Sequence, residues 1–184
     1  MKKSMSALLI LGLAAGLSWA MAQDKPEMPK PAKEHGFLKK FEGKWDSKMS
    51  MRHSADQPWM ECAGTEHNRM VGDFWMVSEW KTDSTEMPMQ GLASTGYDPI
   101  KKKYIVTWIG STSPALSAGE GAVDGAGNIL TTDVKSTDCQ TGKPVSMTMV
   151  QEFKDKDTVA WSMRMKGKDG NDYECMKGES KRKK

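Results

Sequence analysis

From Gly43 onward, polar and apolar residues alternate with a period of two, interrupted by turn signals at roughly 8–12-residue intervals. In the first such segment Trp45, Met49 and Met51 alternate with Asp46, Lys48 and Arg52, although Ser47 and Ser50 dilute the pattern. Residues 58–70 form a second extended run. Residues 74–82 place Phe74, Met76, Ser78 and Trp80 on one face and Trp75, Val77 and Glu79 on the other. A run over 89–97 ends at Tyr97-Asp98-Pro99, and 103–109 carries the strongest β pattern, Tyr104, Val106 and Trp108 against Ile105, Thr107 and Ile109. Further strands are expected at 115–123, 128–136, 145–154, 157–166 and 171–179. Asp124-Gly125, Thr141-Gly142-Lys143-Pro144, Asp155-Lys156-Asp157 and Asp169-Gly170-Asn171 mark turns between them. No helix is long enough for a parallel crossover. The pattern predicts an all-β, antiparallel up-and-down barrel of about ten strands, which closes its own edges.

One segment has a helical period. In residues 34–42, Phe37, Leu38 and Phe41 form a narrow apolar stripe that Gly43 ends. So short a helix is stable only when that stripe packs against something, and it is expected to plug one end of the barrel. Upstream, Lys2 and Lys3 lead into an apolar run from Ala7 to Leu17, followed by Ala20 and Ala22 flanking Met21. This is the layout of a cleaved signal peptide, residues 1–22, cut after Ala22, and it implies a periplasmic or secreted protein with no membrane span once the signal is removed. Residues 23–33, alternating proline with charge, read as an extended linker. The barrel domain is expected over 34–180, with 181–184 a basic tail.

Composition adds limits. The 27 Lys and Arg nearly balance the 24 Asp and Glu, which gives no basic field for nucleic acid. The 16 methionines and 7 tryptophans supply much of the apolar volume.

A barrel of this size either fills its middle with side chains or keeps room for one small ligand. Trp45, Phe74, Met76, Trp80, Tyr104, Trp108, Trp161 and Met163 are the candidates to line or to fill that space, with Arg69, Arg164 and Glu79 as candidate polar groups. No nucleophile elbow, phosphate loop or dinucleotide fingerprint occurs, so no catalytic residue is assigned. The pairs Met49/Met51, Met87/Met89, Met147/Met149 and Met163/Met165 each repeat Met-x-Met, and His53 extends the first. Met49, Met51 and His53 are therefore the candidate ligands for a soft metal such as Cu(I), although residues two apart on a strand stand roughly 7 Å apart. No resident cofactor is expected. His35, His53 and His67 have no zinc-type companions, and none lies late in the chain, where some small barrels take their haem ligand. Of Cys62, Cys139 and Cys175, no pair is expected to bridge, because strand order separates Cys62 from Cys175 by a whole strand.

The segment Glu34-His35-Gly36-Phe37-Leu38 leading to Gly43-Lys44-Trp45 resembles the opening of calycin-type barrels. Three further segments resemble the exported bacterial proteins grouped as domain of unknown function 1579. These are Gly64-Thr65-Glu66 with Gly72-Asp73-Phe74-Trp75, Gly96-Tyr97-Asp98-Pro99 with Trp108-Ile109, and Gly119-Glu120-Gly121 leading to Asp124-Gly125. The resemblance implies a lipocalin-like barrel and brings no catalytic residues with it. The expected partner is a small lipophilic or amphipathic ligand. The alternatives are Cu(I) held by methionine and histidine, or a barrel packed solid that serves as an interaction module. Oligomeric state is left open.

Overall fold

The structure, a computed structural model, describes residues 28–184 apart from 87, 140 and 168. The signal segment and most of the linker lie outside the described residues. The chain divides into residues 1–30 and 31–184, and the second unit is the barrel.

Ten antiparallel strands follow one another around a closed barrel: β1 (Gly43–Met51), β2 (Met60–Val71), β3 (Trp75–Thr82), β4 (Gln90–Asp98), β5 (Lys103–Gly110), β6 (Ser113–Val123), β7 (Ile129–Thr137), β8 (Pro144–Asp155), β9 (Thr158–Lys166) and β10 (Asp172–Arg182). Each strand pairs with its sequence neighbours, and β1 pairs with β10 to close the ring. Carboxylates close several of the connecting turns. Asp124 Oδ1 accepts the backbone N–H groups of Asn128 and Ile129 at 2.7 and 2.8 Å, and these bonds hold its pKa below the usual carboxylate range. Asp98 and Asp169 also accept backbone N–H groups in their own turns.

Helix α1 (His35–Lys39) is shorter than the 34–42 expected. Beyond Lys39 the chain tightens into i→i+3 bonds, Phe41 N–H to Leu38 O and Glu42 N–H to Lys39 O, before Gly43 turns it into β1 with φ 115°, a conformation that favours glycine. Burial holds this helix in place. Leu38 is fully buried and Phe37 and Phe41 nearly so; such burial contributes about 2 kcal/mol per side chain. Phe37 stacks edge-on against Tyr104 and Phe153, and His35 against Phe74 and Tyr97. Tyr104 Oη donates to Glu34 O at 2.8 Å, and Trp45 Nε1 to Phe41 O at 2.7 Å. The barrel end beside α1 is closed by these contacts.

The basic tail expected from residue 181 is corrected. β10 runs through Arg182, whose guanidinium lies 4.1 Å from the Trp45 ring centroid and pairs with Asp157 at 3.1 Å. It also donates to the carbonyls of Lys40, Glu42 and Lys156. A side chain that ties the helix exit to the β8–β9 turn is part of the fold.

Candidate ligand-binding interior

Because residues two apart on a strand share a face, the inward side chains stack in tiers. The lowest is apolar and sealed: Trp45, Met76, Tyr104, Leu130 and Val159 meet the three apolar side chains of the plug, with Met70, Tyr97, Val123 and Phe153 at the margin. Loss of hydration there, with Glu34 nearby, pushes the Tyr104 hydroxyl up to about 12.

Two residues further along the strands the interior turns polar. Ser47 on β1, Asn68 on β2, Ser78 on β3, Thr95 on β4, Thr132 on β7 and Ser180 on β10 are all buried. Ser180 Oγ donates to Ser47 Oγ at 3.2 Å across the β1–β10 closure. Asn68, only 2% exposed, has a buried Oδ1 that meets no hydrogen-bond donor. Leaving such an acceptor unpaired costs roughly 1–3 kcal/mol, so a group that donates to it is favoured.

Above this polar ring the inward side chains of Glu66, Trp80, Ala93, Trp108, Met149 and Met163 are only half-buried, so solvent enters the barrel from the end opposite α1. The tryptophans lie flat on glycines. A Cβ on Gly64 would meet Trp80 Cζ2 at 2.9 Å, one on Gly178 would meet Trp161 Cζ2 at 2.5 Å, and one on Gly91 would collide with the Trp108 ring. β6 keeps the facing wall thin, presenting Ser113, Ala115, Ser117, Gly119 and Gly121 inward. Glu66 sits in register between Trp45 and Trp80, and loss of hydration pushes its carboxyl up, with a hydrogen bond from the Asn68 amide acting in the opposite direction.

A separate groove of about 820 Å³ crosses the outer face of β1–β5 between two rows of outward side chains, one including Thr65, Lys81 and Gln90, the other His67, Glu79 and Leu92. It does not belong to the interior.

The sequence of residues 30–182 matches the family described as protein of unknown function, DUF1579. The chain belongs to the DUF1579 family. No curated protein matches it in sequence. Among solved structures, this DUF1579 barrel is similar to Rv2717c from M. tuberculosis, with 12% identity, a TM-score of 0.62, and coverage of 84% of this chain and 100% of the other. It is also similar to the S-type phycobiliprotein lyase CPES from Guillardia theta, with 13% identity, a TM-score of 0.55, and coverage of 84% and 99%. These likenesses are of fold. The chain is a lipocalin-like barrel, and no helix among the described residues is long and apolar enough to cross a membrane.

The residues singled out from the sequence separate into three groups in this DUF1579 member. Trp80, Trp108, Trp161 and Met163 face the accessible interior. Trp45, Met76 and Tyr104 belong to the sealed core, and Phe74 stacks on His35 beside the plug, so these four brace the floor. Arg69 and Arg164 are corrections. Both fall on the outward parity of their strands; Arg69 lies 3.9 Å from Glu79 on the outer surface, and Arg164 is exposed. Met49 and Met51 do share the inner face, but His53 does not join them. β1 ends at Met51, and the exposed His53 lies in the following loop, where its carbonyl accepts from Tyr173 Oη at 2.9 Å. Cys62, Cys139 and Cys175 are free thiols, and β1 stands between the strands that carry Cys62 and Cys175. The sequence reading missed Glu66 and Asn68. Their signal was available: they alternate with Gly64 and Met70 on one face of β2, so a strand rich in polar residues turns two of them inward.

Proposed function

We propose that this barrel binds a small amphipathic molecule, with its apolar body between Trp80, Trp108 and Met163 and a hydrogen-bonding head directed at the polar ring. One observation carries this reading: inward side chains above a ring of buried hydroxyls and the unpaired Asn68 Oδ1 are reachable by solvent. A solid core would bury them. Burying about 300 Å² of ligand apolar surface supplies roughly 7 kcal/mol before the costs of association, which alone leaves binding at about millimolar strength or weaker, so the hydrogen bonds of the head must supply the rest. Asn68 Oδ1 favours a head that donates, and a Glu66 carboxyl that retains its proton above the ordinary range adds a donor of its own. The same reading takes residues 1–22 as an export signal, so the ligand would be met outside the cytoplasm.

The test is a titration with 1-anilinonaphthalene-8-sulfonate, read by dye fluorescence and tryptophan quenching. Ala115→Phe fills the inner face of β6, whereas Ala118→Phe adds the same ring to its outer face. We expect about tenfold weaker dye binding in the first variant and no change in the second. Equal binding in the two variants, or no tryptophan quenching at saturation, would place the dye outside the barrel and overturn the proposal.

A further inference from the structure

The strand register assembles a feature that the Met-x-Met spacing alone does not show. Met60 of β2 pairs with Met51 of β1, Met51 with Met176 of β10, Met176 with Met163 of β9, and Met163 with Met149 of β8. Five thioether side chains thus stand side by side across five adjacent strands, all on the inner face. A bulge between Glu174 and Met176 makes the row continuous by resetting the parity of β10. Met147 and Met165 form another opposed pair nearby.

Register decides what these sulfurs can do. Residues two apart along a strand are separated by roughly 7 Å. Directly opposed residues bring their Cβ atoms to about 4.5–5.5 Å, and a methionine has three rotatable bonds with which to converge its sulfur on a shared point. The methionines of the row are half-buried and face the solvent-accessible part of the barrel, above the sealed aromatic cluster. An ion could reach them without disturbing the floor. Thioethers are neutral, soft and without an acidic proton, which suits a monovalent d¹⁰ cation and disfavours Mg²⁺ or Ca²⁺. Among the described residues no cluster of three or more His, Cys, Asp or Glu offers a competing site.

We propose that Met51, Met163 and Met176, flanked by Met60 and Met149, form a thioether site for a monovalent soft cation, Cu(I) or Ag(I). The site shares Met163 with the amphipathic-ligand pocket, and the remaining ligands, Met51 and Met176, belong to the metal site alone, so the two readings are tested separately through them.

Ag(I) is the probe, being air-stable and redox-silent. The full chain, with Cys62, Cys139 and Cys175 changed to alanine so that no thiol competes for the metal, is labelled with [methyl-¹³C]methionine and titrated with silver nitrate in a thiol- and chloride-free buffer. The methyl signals of Met51, Met163 and Met176 should shift together and saturate at one equivalent, while exposed Met28, outside the barrel strands, should not move. Native mass spectrometry then compares two proteins in which Cys62, Cys139 and Cys175 are alanine. One keeps all its methionines; the other also carries Met51→Leu, Met60→Leu and Met176→Leu, which nearly conserve volume and leave Met163 of the ligand pocket in place. We expect one retained silver ion in the first and at least tenfold weaker binding in the second. Both should bind 1-anilinonaphthalene-8-sulfonate equally, which keeps failure of this site distinct from failure of the ligand pocket. Should the alanine changes prevent folding, the same comparison is made with the three cysteines changed to serine. Silver that moves no methionine methyl, moves Met28 equally, or stays bound with undiminished affinity after the leucine changes would show that the row is packing only.

Discussion

Substituting Gly91 with alanine tests the placement of the tryptophan wall. A Cβ at this position would collide with the Trp108 ring and lie 2.8 Å from Ile109 O. The ring can rotate away only by giving up its seat on the strand, and the carbonyl belongs to β5, which is paired with β4 at Gly91–Gly110. Overpacking of this kind costs about 1–3 kcal/mol, which for a domain of this size lowers Tm by roughly 3–9 °C. Gly36→Ala is the internal control. Nothing lies within 4 Å of its added Cβ, and removing a glycine from α1 stabilises by about 0.5–1 kcal/mol. Urea unfolding followed by tryptophan fluorescence and far-ultraviolet circular dichroism measures both. The decisive arm is Gly91→Ala made in a Trp108→Ala background. If the ring is what the methyl strikes, the second change recovers part of the loss and the cycle is non-additive by at least 0.5 kcal/mol. A Gly91→Ala protein within 0.5 kcal/mol of the natural chain, or an additive cycle, would refute the tryptophan-on-glycine wall and the shape of the cavity derived from it.

Two further outcomes follow from side chains that the fold uses in opposite ways. Arg182→Ala removes donors to three carbonyls and the ion pair with Asp157; it should cost about 2–4 kcal/mol in urea unfolding, and Arg182→Lys should recover less than half, because an ammonium cannot reproduce the planar fork. A loss under 0.5 kcal/mol would return residues 181–184 to the role of a tail. Glu66→Gln should change how stability depends on pH. A carboxyl whose folded pKa is raised binds its proton more tightly folded than unfolded, so it favours the fold at low pH and loses that advantage as pH climbs from the ordinary glutamate value through the raised one. The lowered carboxyls of Asp73, Asp124, Asp155 and Asp169 act the other way, and their contribution is lost as pH falls below the ordinary range. The stability difference between Glu66→Gln and the natural chain should therefore grow in favour of glutamine from about pH 4 upward; a difference that does not vary with pH would show the carboxyl to be hydrated.

The strands were legible because their signal is local. Period-two alternation and Asp-Gly or Pro-containing turns depend on neighbours a few residues away, and they located ten strands and the plug. Inward parity was legible within a strand too, as with Phe74, Met76, Ser78 and Trp80. What was not legible was which inward residues meet. The tier to which Trp45 or Trp108 belongs depends on strand tilt and on how far up each strand the aromatic plug reaches. The sequence reading therefore grouped sealed-core and accessible tryptophans together. Arg182 was lost for a similar reason, since a basic C-terminus looks solvated until β1 places Trp45 against it. His53 was drawn into the methionine pattern by extending a strand period past Met51, where β1 ends.

The tiers also explain why so polar a chain can keep an interior. Around the sealed floor, aromatic and aliphatic side chains from the plug and the strands fill the closed end and supply most of the cohesive packing. Further along the strands the walls need cohesion only between neighbouring strands, and the backbone ladder of a closed barrel provides it without a filled centre. That freedom allows β6 to present only serine, alanine and glycine inward above Val123, and allows the tryptophans to lie along the wall instead of across it. Methionine suits the remaining wall for a physical reason. It is long enough to cover backbone in an accessible region and flexible enough to move aside, where a branched side chain would hold one shape. A rigid aromatic floor, a hydroxyl ring and a deformable sulfur wall are then consequences of one requirement: stability concentrated at the plugged end, with the other end free to receive something.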